Sequence, residues 1–416
     1  MLFLYQIIIL IILLLSPLII IFRIVKKKED NQRFAEKFSF PSKKRINGKL
    51  IWFHGASVGE IMSVIPLIRH YEKNKSVKQI LVTSSTLSSS RVIKKFKFKK
   101  TIHQFYPIDF YLFTNRFLDF WKPDVSIFID SEIWPCMFQN INKRKIPLIL
   151  LNARLTKKTY NNWIKIKKFG KSVFNNLTIA YPQNKETYSY LKKLTNSKIN
   201  HLGNLKFAEI GNYYFDRFKS NLESEFKKKR IWVASSTHNP EEIFCGKAHI
   251  LIKKKYENLL TIIIPRHIHR ANKISSELNE LGLKVTLHSS KNKKLKNIDI
   301  YLVDSFGETK KFHRISSSVF LGGSIINRGG QNPLEAARFG ANILHGPDIS
   351  NFTDIYKLLK SLNVSSTINS PKQLASLIKF KKNNNTGMKI KNIGDKILKK
   401  TIKELDKYIL NEFKKT

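Results

Sequence analysis

Residues 320–346 read FLGGSIINRGGQNPLEAARFGANILHG. The apolar run Ser318 to Leu321 that enters this stretch ends in Gly322-Gly323, and a second pair, Gly329-Gly330, follows. Asn332-Pro333-Leu334-Glu335 then predicts a helix start. Proline suits the first helical position, where a missing N–H costs nothing, and Asn332 and Glu335 have capping-box spacing. Gly340 predicts the helix end, and Ala341 to Leu344 the next buried strand. Strand, glycine loop, exposed helix start and strand form a junction whose free N–H groups and helix dipole suit a phosphate.

Outward from this junction, apolar runs recur at helix-sized intervals. In the second half they are Ile231 to Ala234, Leu260 to Ile264, Lys284 to Leu287, Ile298 to Val303, Val319 to Leu321 and Asn342 to His345. In the first half they are Leu50 to Phe53, Gln79 to Thr83, Val125 to Asp130, Leu148 to Asn152 and Leu177 to Tyr181. Strand alternating with helix is the doubly wound α/β pattern. Its repetition predicts two Rossmann-like domains facing a cleft, over 30–207 and 208–390, between an anchor at 1–25 and a terminal helix at 391–416. A short helix near Gln32 to Phe38, a charged helix over Asn212 to Lys229 and a low-complexity surface loop over Phe380 to Lys391 complete the expectation. Ligands in such sheets lie beyond the carboxyl ends of the strands.

At 416 residues the chain exceeds one ordinary domain, and 42% hydrophobic residues with 12% aromatics support large cores. Lys plus Arg number 75 against 30 Asp plus Glu, a formal charge of +45, which favours nucleic acid, an anionic membrane face or phosphorylated substrates as partners. Lysine, asparagine and isoleucine are abundant throughout, so part of that excess is compositional. Cys136 and Cys245 show no metal-ligand or pairing pattern and fit a reducing compartment. Leu2 to Phe22 carries no charge, and Arg23 and Lys26-Lys27-Lys28 follow. Roughly 20 apolar residues cross a bilayer core of ~30 Å. No basic region precedes the run and no small-residue cleavage site follows it, which argues against a cleaved signal. The positive flank predicts one crossing with the N-terminus outside and the remaining chain in the cytoplasm.

The strand-end loops carry the chemistry. His54-Gly55-Ala56-Ser57-Val58-Gly59-Glu60 follows the first strand. A Ser-x-x-Glu pair most often only closes a helix start, but Glu60 also stands beside Gly59 at a strand's carboxyl end. There a carboxylate kept ionised by the helix dipole suits a general base, with His54 as competitor. Asp130 and Glu132 follow another strand, where they either act in the site or cap the next helix. Arg154 either pairs with one of them or holds an anionic group of an acceptor. Thr83-Ser84-Ser85-Thr86 with Ser88-Ser89-Ser90-Arg91 is either a hydroxyl-rich binding loop ending in a cation or a plain polar loop. Ser235-Ser236-Thr237-His238 can offer hydroxyls and N–H groups to a phosphate, and Pro265-Arg266-His267 and Phe306-Gly307-Glu308 end further strands. With Gly322 to Glu335, these make four second-half strand-end loops with polar or glycine tips converging on one side, more than turning the chain requires. The sequence contains no P-loop, no dinucleotide fingerprint and no metal-ligand cluster.

These motifs together resemble the 3-deoxy-D-manno-octulosonic acid (Kdo) transferase family. The likeness runs through WFHGASVGE (Trp52 to Glu60), VTSSTLSSSR (Val82 to Arg91), YPIDF (Tyr106 to Phe110), DSEIWP (Asp130 to Pro135), LNARL (Leu151 to Leu155), GNLKF (Gly203 to Phe207), ASSTH (Ala234 to His238), PRH (Pro265 to His267), FGE (Phe306 to Glu308) and RGGQNPLE (Arg328 to Glu335). Gln331 stands where the family has a histidine, and Asp130-Ser131 where it has Glu-Thr. The resemblance implies a GT-B fold, a CMP-Kdo donor on the second domain and a lipid A precursor acceptor on the first, at the inner membrane, with neither cofactor nor metal. It implies Glu60 and Glu132 as catalytic residues. Lys206, Ser235, Ser236 and the N–H groups near Gly323 and Asn332 would surround the donor phosphate. Arg266, His267, Gly307 and Glu308 would contact the cytidine, and Glu335 a ribose hydroxyl. Ser57, Arg91 and Arg154 fall to the acceptor. The rival readings are a GT-B transferase using a UDP-sugar on another membrane lipid, and a non-catalytic anchored polyanion-binding protein.

Overall fold

The computed structural model describes residues 1–26, 28–208, 218, 220–290 and 295–414. It divides into two compact units, Met1–Ile210 with Gly394–Thr416, and Gly211–Ile393. The first unit holds strands β1 (Leu50–His54), β2 (Gln79–Ser84), β3 (Thr101–Phe105), β4 (Val125–Ile129), β5 (Leu148–Ala153), β6 (Ile179–Pro182) and β7 (Lys198–Ile199). They form one parallel sheet in the order β3-β2-β1-β4-β5-β6-β7. The second unit holds β8 (Arg230–Thr237), β9 (Leu259–Pro265), β10 (Val285–Leu287), β11 (Ile300–Leu302), β12 (Ser318–Leu321), β13 (Asn342–His345) and β14 (Ser365–Thr367). These are also parallel, in the order β10-β11-β9-β8-β12-β13-β14.

Uninterrupted apolar strands are what a parallel sheet with helices on both faces demands. Leu50, Ile51, Trp52 and Phe53 are wholly buried, as are Leu148, Ile149 and Leu150. Each sheet reverses its winding once, between β1 and β4 and between β8 and β12. The loops leaving those strands are therefore the crevices where doubly wound sheets take ligands.

Three strands escape the apolar-run reading, namely β3, β7 and β14, and all three are edge strands. An edge needs less continuous apolar sequence, and β3 carries His103 and Gln104. Asn384 opens the final helix, Asn384–Lys414, so the end of the expected 380–391 loop is helical. Gly387 explains why this segment packs: a Cβ there would lie 2.6 Å from the Arg338 carbonyl oxygen. The charged helix is seen as Ser220–Lys227, and residues 212–217 and 219 of its expected range lie outside the described residues. The expected short helix appears as a single tight turn, Phe34–Phe38.

The N-terminal helix, Leu2–Val25, is covered along one stripe, with Tyr5, Gln6, Ile9, Leu13, Ser16 and Ile20 recurring every three to four residues. The stripe is tied at its start by Tyr5 Oη donating to Asp109 at 2.8 Å and at its end by Arg23 with Glu29 at 3.0 Å.

Candidate active site

In the first unit Glu60 and Glu132 follow β1 and β4, the two strands of the switch point, near enough for the charge of Glu132 to act on Glu60. Ser57 caps the helix Val58–Glu72 by accepting from the Glu60 N–H at 3.4 Å, and its hydroxyl donates to Glu60 Oε1 at 2.8 Å. The Ala56 N–H donates to Glu60 Oε2 at 2.7 Å. This reciprocal cap fixes the carboxylate at the strand end, so capping and positioning are one arrangement.

The helix dipole does not keep Glu60 at an ordinary carboxylate value. Burial, and next the charge of Glu132, push it up to about 7, against the bonds from Ser57 and Ala56. Glu132 goes the other way. Burial raises it, but the bond and charge from His54 and the Trp134 N–H outweigh that and hold it below its usual range. The distances are 3.0 Å from His54 Nε2 and 2.9 Å from Trp134 Nε1 to Glu132 Oε2. Two carboxyl groups with values driven apart by their surroundings are how one site holds a proton acceptor near neutral pH beside a fixed negative charge.

His54 is wholly buried, so it is a support rather than a rival base. Its ring stacks on Tyr106 with centroids 3.8 Å apart. Trp52 Nε1 donates to Thr83 Oγ1 at 2.9 Å, and His54 Nδ1 lies 2.9 Å from the same oxygen and 3.3 Å from the Thr83 carbonyl. Because the ionised Glu132 can only accept, the 3.0 Å contact places a proton on Nε2. Trp52, Thr83 and Tyr106 lie inside recognisable motifs, but only the fold shows that they orient a histidine.

Asp130, just past β4, and Asn152, one residue before the end of β5, have positive φ, 63° and 52°. Asp130 accepts from Lys206 Nζ at 3.0 Å, and Asn152 accepts from the Leu205 N–H at 2.9 Å. Lys206, predicted at a phosphate, therefore sits in the first unit against a carboxylate. The Arg154 N–H donates to the Asp130 carbonyl at 3.1 Å, and its guanidinium forms no ion pair among the described residues. Arg91 is exposed on the helix Leu87–Lys95.

In the second unit the switch point between β8 and β12 joins Ser235, Ser236 and Thr237 to Gly322 and Gly323. A Cβ on Gly322 would stand 2.6 Å from the Ser236 carbonyl oxygen, and Gly323 has φ +67°, so this close crossing needs both glycines. The free N–H groups expected of this loop are taken. Glu241, wholly buried, accepts from the N–H groups of His238 at 3.0 Å, Gly323 at 2.7 Å, and Ser324 and Ile325 at 3.1 Å each. The anion in this nest is the protein's own side chain. Burial nevertheless raises Glu241 above its ordinary value despite those four bonds. The sequence signal was an acid in the first turn of the helix behind a hydroxyl-rich strand end.

The capping box expected at Asn332 and Glu335 does not form. Asn332 Oδ1 accepts from the Leu334 N–H at 3.1 Å, Pro333 stays outside the short helix Leu334–Arg338, and Glu335 turns away. Its carboxylate lies 3.1 Å from Lys310 Nζ and 3.7 Å from His313 Nδ1. Arg266 and His267 are exposed at the end of β9, and the Arg266 N–H donates to the Thr237 carbonyl at 2.9 Å. Gly307 has φ +86°, beside Phe306 at 77% exposed, and Glu308 pairs with Lys311 at 2.9 Å. The hydroxyls of Thr237 and Ser305 are buried without a partner among the described residues, which suits a polar ligand.

A family model described as 3-deoxy-D-manno-octulosonic-acid transferase (kdotransferase) matches residues 32–209. A 3-deoxy-D-manno-octulosonic acid transferase of Rickettsia bellii is 34% identical over 384 residues, 92% of this chain and 91% of that protein. Its counterpart in Haemophilus influenzae is 30% identical over 347 residues, 82% of this chain and 80% of that one. Among solved structures, UDP-GlcNAc 2-epimerase from Neisseria meningitidis bound to UDP-GlcNAc superposes with a TM-score of 0.57 at 12% identity, covering 87% of this chain and 100% of that one, a likeness of fold alone.

Proposed function

Because the chain belongs to the 3-deoxy-D-manno-octulosonic acid (Kdo) transferase family, we propose that Glu60 is the base that takes the acceptor's proton as Kdo passes from CMP-Kdo to lipid IVA, the lipid A precursor. The chain is a glycosyltransferase of the GT-B fold that transfers Kdo in lipopolysaccharide biosynthesis. One observation carries the assignment of the base: a carboxyl group near neutrality, held at a switch point by its own helix cap, beside a second carboxyl group that stays charged.

The deprotonated hydroxyl attacks the anomeric carbon opposite the departing CMP, forming the new glycosidic bond as the bond to phosphate breaks and inverting the configuration. A nucleotide phosphate leaves without the second acid that a glycosidase needs. Glu132 raises the basicity of Glu60 and, with His54, fixes the floor of the crevice. The residues from 30 to 207 take the acceptor, with Ser57, Arg91 and Arg154 towards its polar head. Those from 208 to 390 take the donor, with Ser235 and Ser236 at the phosphate, Arg266, His267, Gly307 and Glu308 at the cytidine and Glu335 at the ribose. Asn332 and the Gly323 backbone shape the loop, and Lys206 exchanges Asp130 for an oxyanion. Negative charge gathering on the phosphate is what fixed donors stabilise. The helix Leu2–Val25 attaches the protein to the cytoplasmic face of the inner membrane.

The test is to incubate purified protein with tetraacylated lipid A precursor and either CMP-Kdo or UDP-sugars, and to weigh the lipid product. Kdo addition is expected. Transfer from a UDP-sugar alone would replace the donor assignment, and no transfer from any donor would leave the polyanion-binding reading.

A further inference from the structure

The covered stripe of the N-terminal helix is tied to the first unit at both ends. Tyr5 Oη donates to Asp109 Oδ2 at 2.8 Å, the Gln6 side chain lies against the Cys136 thiol, Ser16 and Ile20 are buried, and Arg23 pairs with Glu29 at 3.0 Å. Tyr5 and Arg23 are separated by roughly 27 Å of helix at 1.5 Å per residue, yet Asp109 and Glu29 both belong to the same compact unit. A helix crossing with its start outside would hold Tyr5 about 30 Å from that unit. Asp109, only 2% exposed, would then lose a donor.

We infer that the N-terminal helix does not cross the bilayer: it lies along the first unit, immersed in the cytoplasmic leaflet, with its opposite face against the acyl chains. That face carries Phe3, Leu14, Leu18 and Phe22, exposed by 77%, 74%, 70% and 62%. An interfacial helix ordinarily needs a charged face because that face meets water. Here it meets protein, which supplies partners for Tyr5, Gln6 and Arg23, so an apolar sequence suffices. Lys26 and Lys28, just beyond the helix, are placed for lipid phosphates.

Docking also bears on the site. Asp109 accepts from the N–H groups of Cys136 at 3.0 Å and Met137 at 2.8 Å, the start of the helix Pro135–Lys143 that follows Glu132, Ile133 and Trp134. Tyr5 thus links the lipid-facing helix to the segment carrying Glu132. The leaflet is set beside the crevice where the hydroxyl of a membrane-embedded acceptor must reach Glu60. This rests on the reading of the acceptor as a membrane lipid.

The test uses the full chain in its native membranes. Gln6→Cys is oxidised against the native Cys136, and the linked peptide is quantified by mass spectrometry, with Leu10→Cys on the lipid face as control. At least a tenfold excess of the 6–136 link is expected. Leu4→Cys is probed from the outer face of spheroplasts with a membrane-impermeant maleimide, and no labelling is expected. Absence of the 6–136 link, or labelling of position 4 from outside, overturns the inference. Sedimentation is scored separately, because a protein that leaves the membrane pellet fails the attachment reading instead.

Discussion

His54 Nε2 stands 3.0 Å from Glu132 Oε2, and the charge that Glu132 retains is one of the causes that lift Glu60 towards neutrality. The buried ring therefore reaches the reacting proton through two carboxyl groups. With Glu60 at about 7, its base form dominates above that value. Turnover should fall as pH drops through 7, giving an acid limb in kcat/KM. Glu132→Gln removes the charge that raises Glu60, so the limb should move to lower pH. A pH–rate profile of both proteins checks the direction, and an unmoved limb would detach Glu132 from the base.

Glu60→Gln keeps the hydrogen-bonding shape of the cap and removes the proton acceptor. A lost general base commonly costs 10²–10⁴-fold, so kcat should fall by about three orders of magnitude. CMP binding, measured by calorimetry, should stay within about twofold. Wild-type turnover in this variant would remove Glu60 from the mechanism.

Glu241→Gln should destabilise the second unit. The carboxylate accepts four N–H groups in a buried nest, and a bond to a charged group contributes a net of about 1.5–3 kcal/mol. A net loss of about 2–3 kcal/mol is expected in chemical unfolding, with donor KM raised because the glycine loop loosens.

Glu335→Ala should weaken donor binding while leaving acceptor KM alone. Losing one charged hydrogen bond to a ribose hydroxyl predicts a rise in donor KM of about tenfold. Lys310, 3.1 Å from that carboxylate, would then be left without it, so Lys310→Met in the same background should recover little. Steady-state kinetics varying each substrate separates the two sites.

Tyr5→Phe deletes the hydroxyl that reaches Asp109. It should raise KM for the lipid acceptor several-fold with donor KM and the pH limb unchanged. A purely structural role would instead lower thermal stability without altering the ratio of the two KM values.

The alternating buried strands were legible because a parallel sheet covered on both faces requires continuous apolar runs, and β1, β4 and β5 have them. The edges β3, β7 and β14 lack that requirement and left no such trace. The Ser57–Glu60 cap was legible from spacing alone, whereas the identical inference at Asn332 and Glu335 failed. There, Lys310 on the preceding helix Thr309–Ile315 offers Glu335 a partner that local spacing cannot register. The first-turn position of Glu241 was readable, but its nest was not, since three of its four partners lie more than 80 residues away in sequence. Its neighbour His238 alone was close at hand. The basicity of Glu60 also lay beyond the sequence, because burial and a non-local charge outweighed the helix dipole that the motif suggests.

Glu241 means that the glycine crossing reaches its working shape while the chain folds, before any nucleotide arrives. The ordering entropy of that segment is then met within the stability of the second unit and need not be drawn from the association step. A nucleotide arriving at such a rigid seat can be recognised by shape and still leave quickly once its sugar has gone, which is what an enzyme needs if the spent carrier must make way for the next one.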